Sequence, residues 1–188
     1  MTQREARARL KDLIAKWADD FKTTSEKSRT EFMKYHSGMI PAHGCFYGNE
    51  ARAEFERRCW EYQAQAEKIL QEQLQQLRDK MVDPPSEEAI NTIKLLSLRT
   101  DLTHKEVELL LDKYGDNDQA YRAIASVAAE KGVMGYASPL DEKIKDMEAL
   151  ISVVNRTLTA TSAEGGHAGE GFIAMLNMQI DSTLSDVA

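Results

Sequence analysis

Two histidines and both cysteines of the chain, His36, His43, Cys45 and Cys59, fall within a stretch of 24 residues, and these are the side chains with which proteins hold zinc. Their spacing matches no usual zinc pattern. Cys59 also falls about ten residues inside an expected helix, roughly 15 Å from its start at about 1.5 Å per residue. A shared ion is therefore not expected, and no metal or cofactor is assigned. His43 and Cys45 share a turn, but no Ser, His and acid, and no Cys and His, are arranged by the pattern into a catalytic triad. The glycine-rich tract from Gly165 to Gly171 lacks the lysine and Ser/Thr of a phosphate loop and follows a helix rather than a strand. No catalytic residue is assigned, and the chain is expected not to be an enzyme.

The elements that would carry these residues are helical throughout. Leu10, Ile14, Trp17, Phe21, Thr24, Ser28, Phe32 and Tyr35 recur mostly by alternating fours and threes, the seam of a helix packed along another helix. Phe55, Cys59, Tyr62, Ala66, Leu70, Leu74, Leu77 and Met81 repeat the pattern. Between the two runs, Ser37 to Gly44 contains Pro41 and two glycines and cannot continue a helix. Residues 1–82 are thus expected to form a long antiparallel, coiled-coil-like hairpin. A symmetric fold-back would pair Phe32 with Phe55, Ser28 with Cys59, Thr24 with Tyr62, Phe21 with Ala66, Trp17 with Leu70 and Leu10 with Leu77. Four large apolar residues at the tip, Met39, Ile40, Phe46 and Tyr47, are candidates for partner binding.

Composition bounds the function. The 188 residues are 42% hydrophobic and 29% charged, which suits a globular chain, and no apolar stretch approaches the roughly 20 residues of a membrane span. The charged start, Thr2 to Arg7, lacks the apolar core of a signal peptide, and two cysteines make no disulfide framework. A cytoplasmic setting without membrane contact is expected. Residues 1–82 carry 15 Lys and Arg against 13 Asp and Glu, whereas residues 83–188 carry 9 against 18. An acidic second half opposes general nucleic-acid binding. Arg4, Arg7 and Lys11 share one helical face and are the best candidate phosphate contacts, although Glu5 and Asp12 lie nearby.

Asp83-Pro84-Pro85-Ser86 ends the second helix and opens a new unit at 86–132, because consecutive prolines remove donors and force extended backbone. Three short helices follow, at 87–98 with Ile90, Ile93 and Leu96 inward, at 103–114 with Val107, Leu110 and Leu111, and at 117–131 with Ala120, Ile124 and Val127. Thr103 to Glu106 fits a capping box, Asp116 or Asn117 can cap the third helix, and Gly115 and Gly132 stand where left-handed caps are expected. The run Lys113-Tyr114-Gly115-Asp116-Asn117-Asp118-Gln119-Ala120-Tyr121-Arg122-Ala123-Ile124 resembles the second and third helices of a ubiquitin-associated (UBA-like) domain. The resemblance covers about a quarter of the chain and implies a three-helix fold. The family's Met-Gly-Phe or Met-Gly-Tyr loop is replaced by Leu98 to Thr103, and Met134-Gly135-Tyr136 follows the third helix. The family's ubiquitin-binding surface is therefore not carried over.

Residues 138–188 complete the chain. Ser138 and Pro139 open another helix whose seam, Leu140, Ile144, Met147, Ile151, Val154 and Leu158, needs a partner groove on the hairpin or on another subunit. Of these, Leu140, Ile144, Ile151 and Val154 are taken as candidate partner-binding residues. A tract with the composition of a flexible tether, Thr159 to Gly171, leads to a short amphipathic helix carrying Phe172, Ile173, Leu176, Ile180 and Leu184. Short, acidic, helix-dense and without recognisable chemistry, the chain resembles in general style proteins encoded by bacteriophages or prophages. That resemblance implies a structural or assembly role in the host cytoplasm or virion. A small regulatory or inhibitory binder of a host or defence protein is the alternative, and a nucleic-acid-associated protein using the basic start of the hairpin is a second.

Overall fold

The computed structural model describes residues 1–36, 38, 46–159 and 170–185. Its regular structure is entirely helical: α1 (Gln3–Tyr35), α2 (Asn49–Lys80), α3 (Glu87–Leu98), α4 (His104–Tyr114), α5 (Asp118–Glu130), α6 (Pro139–Leu158) and α7 (Glu170–Thr183), with no strand among the described residues. The chain divides into two compact units, one of residues 1–73 and 147–188 and one of residues 74–146.

The helices begin where short polar side chains can satisfy their first amides. Thr2 and Glu5 form a reciprocal capping box on α1, and Thr103 and Glu106 form one on α4. Ser86 accepts from the Ala89 amide on α3, and Asn117 accepts from Ala120 on α5. Two glycines serve different ends. Gly132, after α5, has φ of +83°, the left-handed conformation expected of a C-terminal cap. Gly115 was expected to be left-handed too, yet it is right-handed at φ −68° and ψ −14°. Its glycine is required by close approach, because a Cβ there would lie 2.3 Å from the Leu111 carbonyl oxygen.

In the first unit, cross-helix contacts run in opposite directions along α1 and α2. The Met1 amine pairs with Glu72 at 2.8 Å, Arg58 pairs with Asp20 at 2.9 Å, and Phe21 meets Phe55 at a centroid distance of 5.4 Å. The symmetric register fails. Phe55 packs on Phe21 and Trp17 in the place assigned to Phe32, and Thr24 receives Arg58 where Tyr62 was expected. The cause lies in residues 46 and 47, which turn back along α1: Phe46 packs on Phe21, Tyr47 on Phe32, and the Ser28 hydroxyl donates to the Tyr47 carbonyl at 2.6 Å. These residues fill the positions opposite Ser28 and Phe32, so α2 meets α1 further from its end. Tyr35, expected in the seam, is accordingly 83% exposed.

The core of this unit joins Leu10, Ile14, Trp17 and Phe21 of α1 with Phe55, Cys59, Ala66 and Leu70 of α2. From the C-terminal part come Met147, Leu150, Val154 and Leu158 of α6 and Leu176, Ile180 and Leu184, all buried, with α7 packed against α1.

In the second unit α5 packs against both α3 and α4. The core comprises Ala89, Leu96, Val107, Leu111, Tyr114, Ala120, Ile124, Ala128 and Val133. Ile90, expected inward, is exposed, and Ala89 takes its place. Steps of four and three through 89, 93 and 96 hold one helix face, whereas steps of three through 90, 93 and 96 drift off it.

Replacing Gly115 with Ala should lower stability by roughly 1–3 kcal/mol through overpacking, and Gly132→Ala by about 1–2 kcal/mol through its positive φ. Denaturant midpoints check both, and an unchanged Gly115→Ala midpoint would contradict the close approach. The Glu106 carboxyl is held below its ordinary range, first by the Thr103 amide, then by the Thr103 hydroxyl and Arg99. Its stabilisation is complete above the unfolded value of about 4.3 and is lost as pH falls through the lower folded value. Glu106→Gln should therefore melt below the parent at neutral pH, with the gap closing in acid; thermal scans across pH decide it.

Candidate functional site

Of the residues that the sequence offered to a partner, Phe46, Tyr47 and Val154 are engaged within the chain. Phe46 stacks on Phe55 at 5.1 Å and meets Phe21 edge-on at 5.4 Å, while Tyr47 lies 4.5 Å from Phe32 and exchanges two hydrogen bonds with the Ser28 hydroxyl. Both are half-buried, so they close the end of the aromatic core rather than present an open recognition tip. Met39 and Ile40 lie outside the described residues. On α6, Val154 is fully buried and cannot meet a partner without unfolding its surroundings, a correction to its reading as an interface residue. Leu140, Ile144 and Ile151 are half-buried. The reason is that the seam turns Met147, Leu150, Val154 and Leu158 inward.

The basic face at the start of α1 is also altered by its neighbours. Lys11 pairs with Asp181 of α7 at 2.6 Å, and Arg7 lies 3.8 Å from the same carboxylate, leaving Arg4 exposed beside them. Two of the three candidate phosphate contacts thus share an intrachain counterion. That pairing was invisible in the sequence, because Asp181 is 170 residues from Lys11.

Cys59 is buried, and burial pushes its thiol up to about 11. A protonated thiol is a poor zinc ligand and a poor nucleophile. His36 stacks on Phe32 at 4.1 Å, with Nδ1 3.2 Å from the Phe32 carbonyl oxygen. His43 and Cys45 lie outside the described residues. Among the described residues no three His, Cys, Asp or Glu side chains gather as a metal-holding group.

Two surfaces that the sequence did not single out come from the second unit. The first is the outer face of α3, where Leu95 is 68% and Leu98 79% exposed. The only signal for it was the excess of leucines in Lys94-Leu95-Leu96-Ser97-Leu98, more than one face of a short helix can bury. The second is a groove of about 340 Å³ lined by Tyr121, Arg122, Ser126, Tyr136, Ser138 and Asp141, with Ala125 and Ala137. Behind it Asp118 is buried and accepts a hydrogen bond from the Ser138 hydroxyl. Arg122 Nε donates to Asp118 at 2.6 Å, and Nη2 donates to Asp141 at 2.7 Å. Asp118 and Arg122 stand four residues apart on α5, a spacing that favours an ion pair, but only the fold brings residues 136–141 to them.

Comparison with known protein families, curated proteins and solved structures finds no match. The class of the molecule therefore rests on its own geometry, an all-helical chain with an unpartnered apolar helix face.

With Cys45 replaced by Ser, Cys59 should react slowly in the native state. At about pH 8 only about one thiol in a thousand would be ionised, given a pKa of about 11. An aromatic disulfide reagent should label it promptly in urea and sluggishly without; equal rates would mean that the thiol is not held in the core.

Proposed function

We propose that this chain is a non-enzymatic protein–protein interaction protein of the structural or assembly kind, the role that its general likeness to bacteriophage and prophage proteins implies. One observation carries the reading: α3 is apolar on two opposite sides. At about 100° per residue, Ala89, Ile93 and Leu96 fall within one sector of about 60° and face the core, while Leu95 and Leu98 fall within about 60° of each other on the other side. One apolar face anchors a helix in its own domain. A second one, left in water, is the usual mark of a surface that another protein covers.

The order and packing of α3, α4 and α5 support reading the second unit as a small recognition module of the UBA-like kind. The nucleic-acid alternative loses support from the Asp181 carboxylate between Arg7 and Lys11. A regulatory or inhibitory binder would use the same α3 face on a different protein, and mass in solution separates the two.

For an assembly protein, light scattering after size exclusion should give a concentration-independent oligomer. Leu95→Glu with Leu98→Glu should return a monomer with unchanged helical circular dichroism, since both side chains already face solvent. A parent that is monomeric at every concentration would reject self-assembly through α3, and an oligomer that survives the double substitution would place the interface elsewhere.

A further inference from the structure

The groove beside α5 and the first turn of α6 has a charge pattern that selects its occupant. Among the described residues Arg122 is the one cation lining it, and two of its donor positions are already taken by carboxylates, Asp118 through Nε and Asp141 through Nη2. Two carboxylates against one guanidinium leave a surplus of negative charge. An anion would meet a guanidinium already shared between two carboxylates, one of which, Asp118, is only 3% exposed and also holds the Ser138 hydroxyl. The surplus negative charge beside that guanidinium opposes anion binding. A cation meets no such obstacle. The Asp141 side chain is 40% exposed and makes its Arg122 contact through a single oxygen, Oδ1.

The remaining lining fits the same conclusion. Tyr121 and Tyr136 line it, each partly buried against the core, and aromatic rings attract ammonium and guanidinium groups; Ser126 adds a hydroxyl. Tyr136 is held in place by His104, whose Nδ1 lies 3.2 Å from the phenol oxygen. At about 340 Å³ the groove is at the small end of ligand sites, which span about 300–1,000 Å³, room for the end of one side chain rather than a large cofactor. Residues 74–146 carry 14 Asp and Glu against 10 Lys and Arg, so the surrounding field steers basic rather than acidic partners toward it.

We propose that the groove lined by Tyr121, Arg122, Tyr136 and Asp141 receives a lysine or arginine side chain from a basic segment of a partner protein. The proposal shares with the preceding reading only that the partner is a protein, and it uses a different surface from the α3 face. Its test therefore stands apart from the oligomer measurement.

The test uses the full chain labelled with nitrogen-15 and titrated with four short capped peptides, glycine-flanked and differing only in a central Lys, Arg, Gln or Glu. The Lys and Arg peptides should shift the amides of residues 121–126 and 136–141 in the millimolar range, more weakly as salt is raised, while the Gln and Glu peptides leave them still. Tyr121→Leu and Asp141→Asn should each weaken the effect by about threefold or more, in line with single exposed cation–π or charge contacts. Tyr121 is half-buried against the domain core, so its variant is read together with an unchanged amide spectrum away from the groove, and it tests the site even if Asp141→Asn disturbs Arg122. Absence of shifts with Lys and Arg, equal shifts with Gln, stronger shifts with Glu, or binding indifferent to Tyr121→Leu would each overturn the proposal.

Discussion

The contact on which the first unit depends is aromatic: Phe21 held between Phe55 and Phe46, with Trp17 beside them. Pairs of this kind contribute about 0.5–1.5 kcal/mol each beyond the area they bury, and removing a buried aromatic side chain costs about 3–5 kcal/mol. That is large enough to choose between registers that a heptad pattern leaves nearly equal. With Phe55 on Phe21, Arg58 lands where it reaches both Asp20 at 2.9 Å and the Thr24 hydroxyl at 2.7 Å, and the Tyr62 hydroxyl donates to the other Asp20 oxygen at 3.2 Å. A slip of one turn would move α2 by about 5.4 Å and separate every one of these polar pairs. The aromatic cluster sets the register, and the polar network makes neighbouring registers costly because its members are only partly exposed.

The same packing determines which surfaces remain available. α7 closes on α1 and brings Asp181 to Lys11 and Arg7, so a stripe that reads as basic along the chain carries its own counterion in space. Residues 46 and 47, apolar and placed near a turn, become part of the core because Phe21 and Phe32 offer aromatic surface within reach. Apolar residues at a loop are cheaper to bury against a neighbouring core than to leave in water, and here the neighbouring helix provides the place.

In the second unit the organising element is α5, whose buried face is built from Ala120, Ile124 and Ala128. Small residues at two of these three positions let α3 and α4 pack closely on it, and Asn117 ties its start to the extended Asp83-Pro84 backbone by donating to both carbonyls. The short α3 satisfies this core with Ala89, Ile93 and Leu96, which leaves Leu95 and Leu98 largely exposed. On the other flank, the Asp118 carboxylate gathers Ser138 and Arg122, and Arg122 in turn holds Asp141. An apolar face and an acidic, aromatic-lined groove thus arise from one small core for different reasons, the first from surplus hydrophobic area and the second from a satisfied buried charge.

Local chemistry was legible in the sequence. Thr103 and Asn117 act as caps because a side-chain oxygen within three residues of an unsatisfied amide needs no help from the rest of the fold. Pro139 opens α6, and the periodic apolar positions from Leu10 to Phe21 and from Phe55 to Leu77 are buried almost throughout. What only the tertiary structure decided were relations between distant residues: Phe55 on Phe21, Asp181 on Lys11, Ser138 on Asp118, and the burial of Val154. A 3.6-residue period states which side of a helix is apolar but not what lies opposite it. Several registers bury nearly the same area, and the choice among them falls to side-chain shape and to which polar groups find partners.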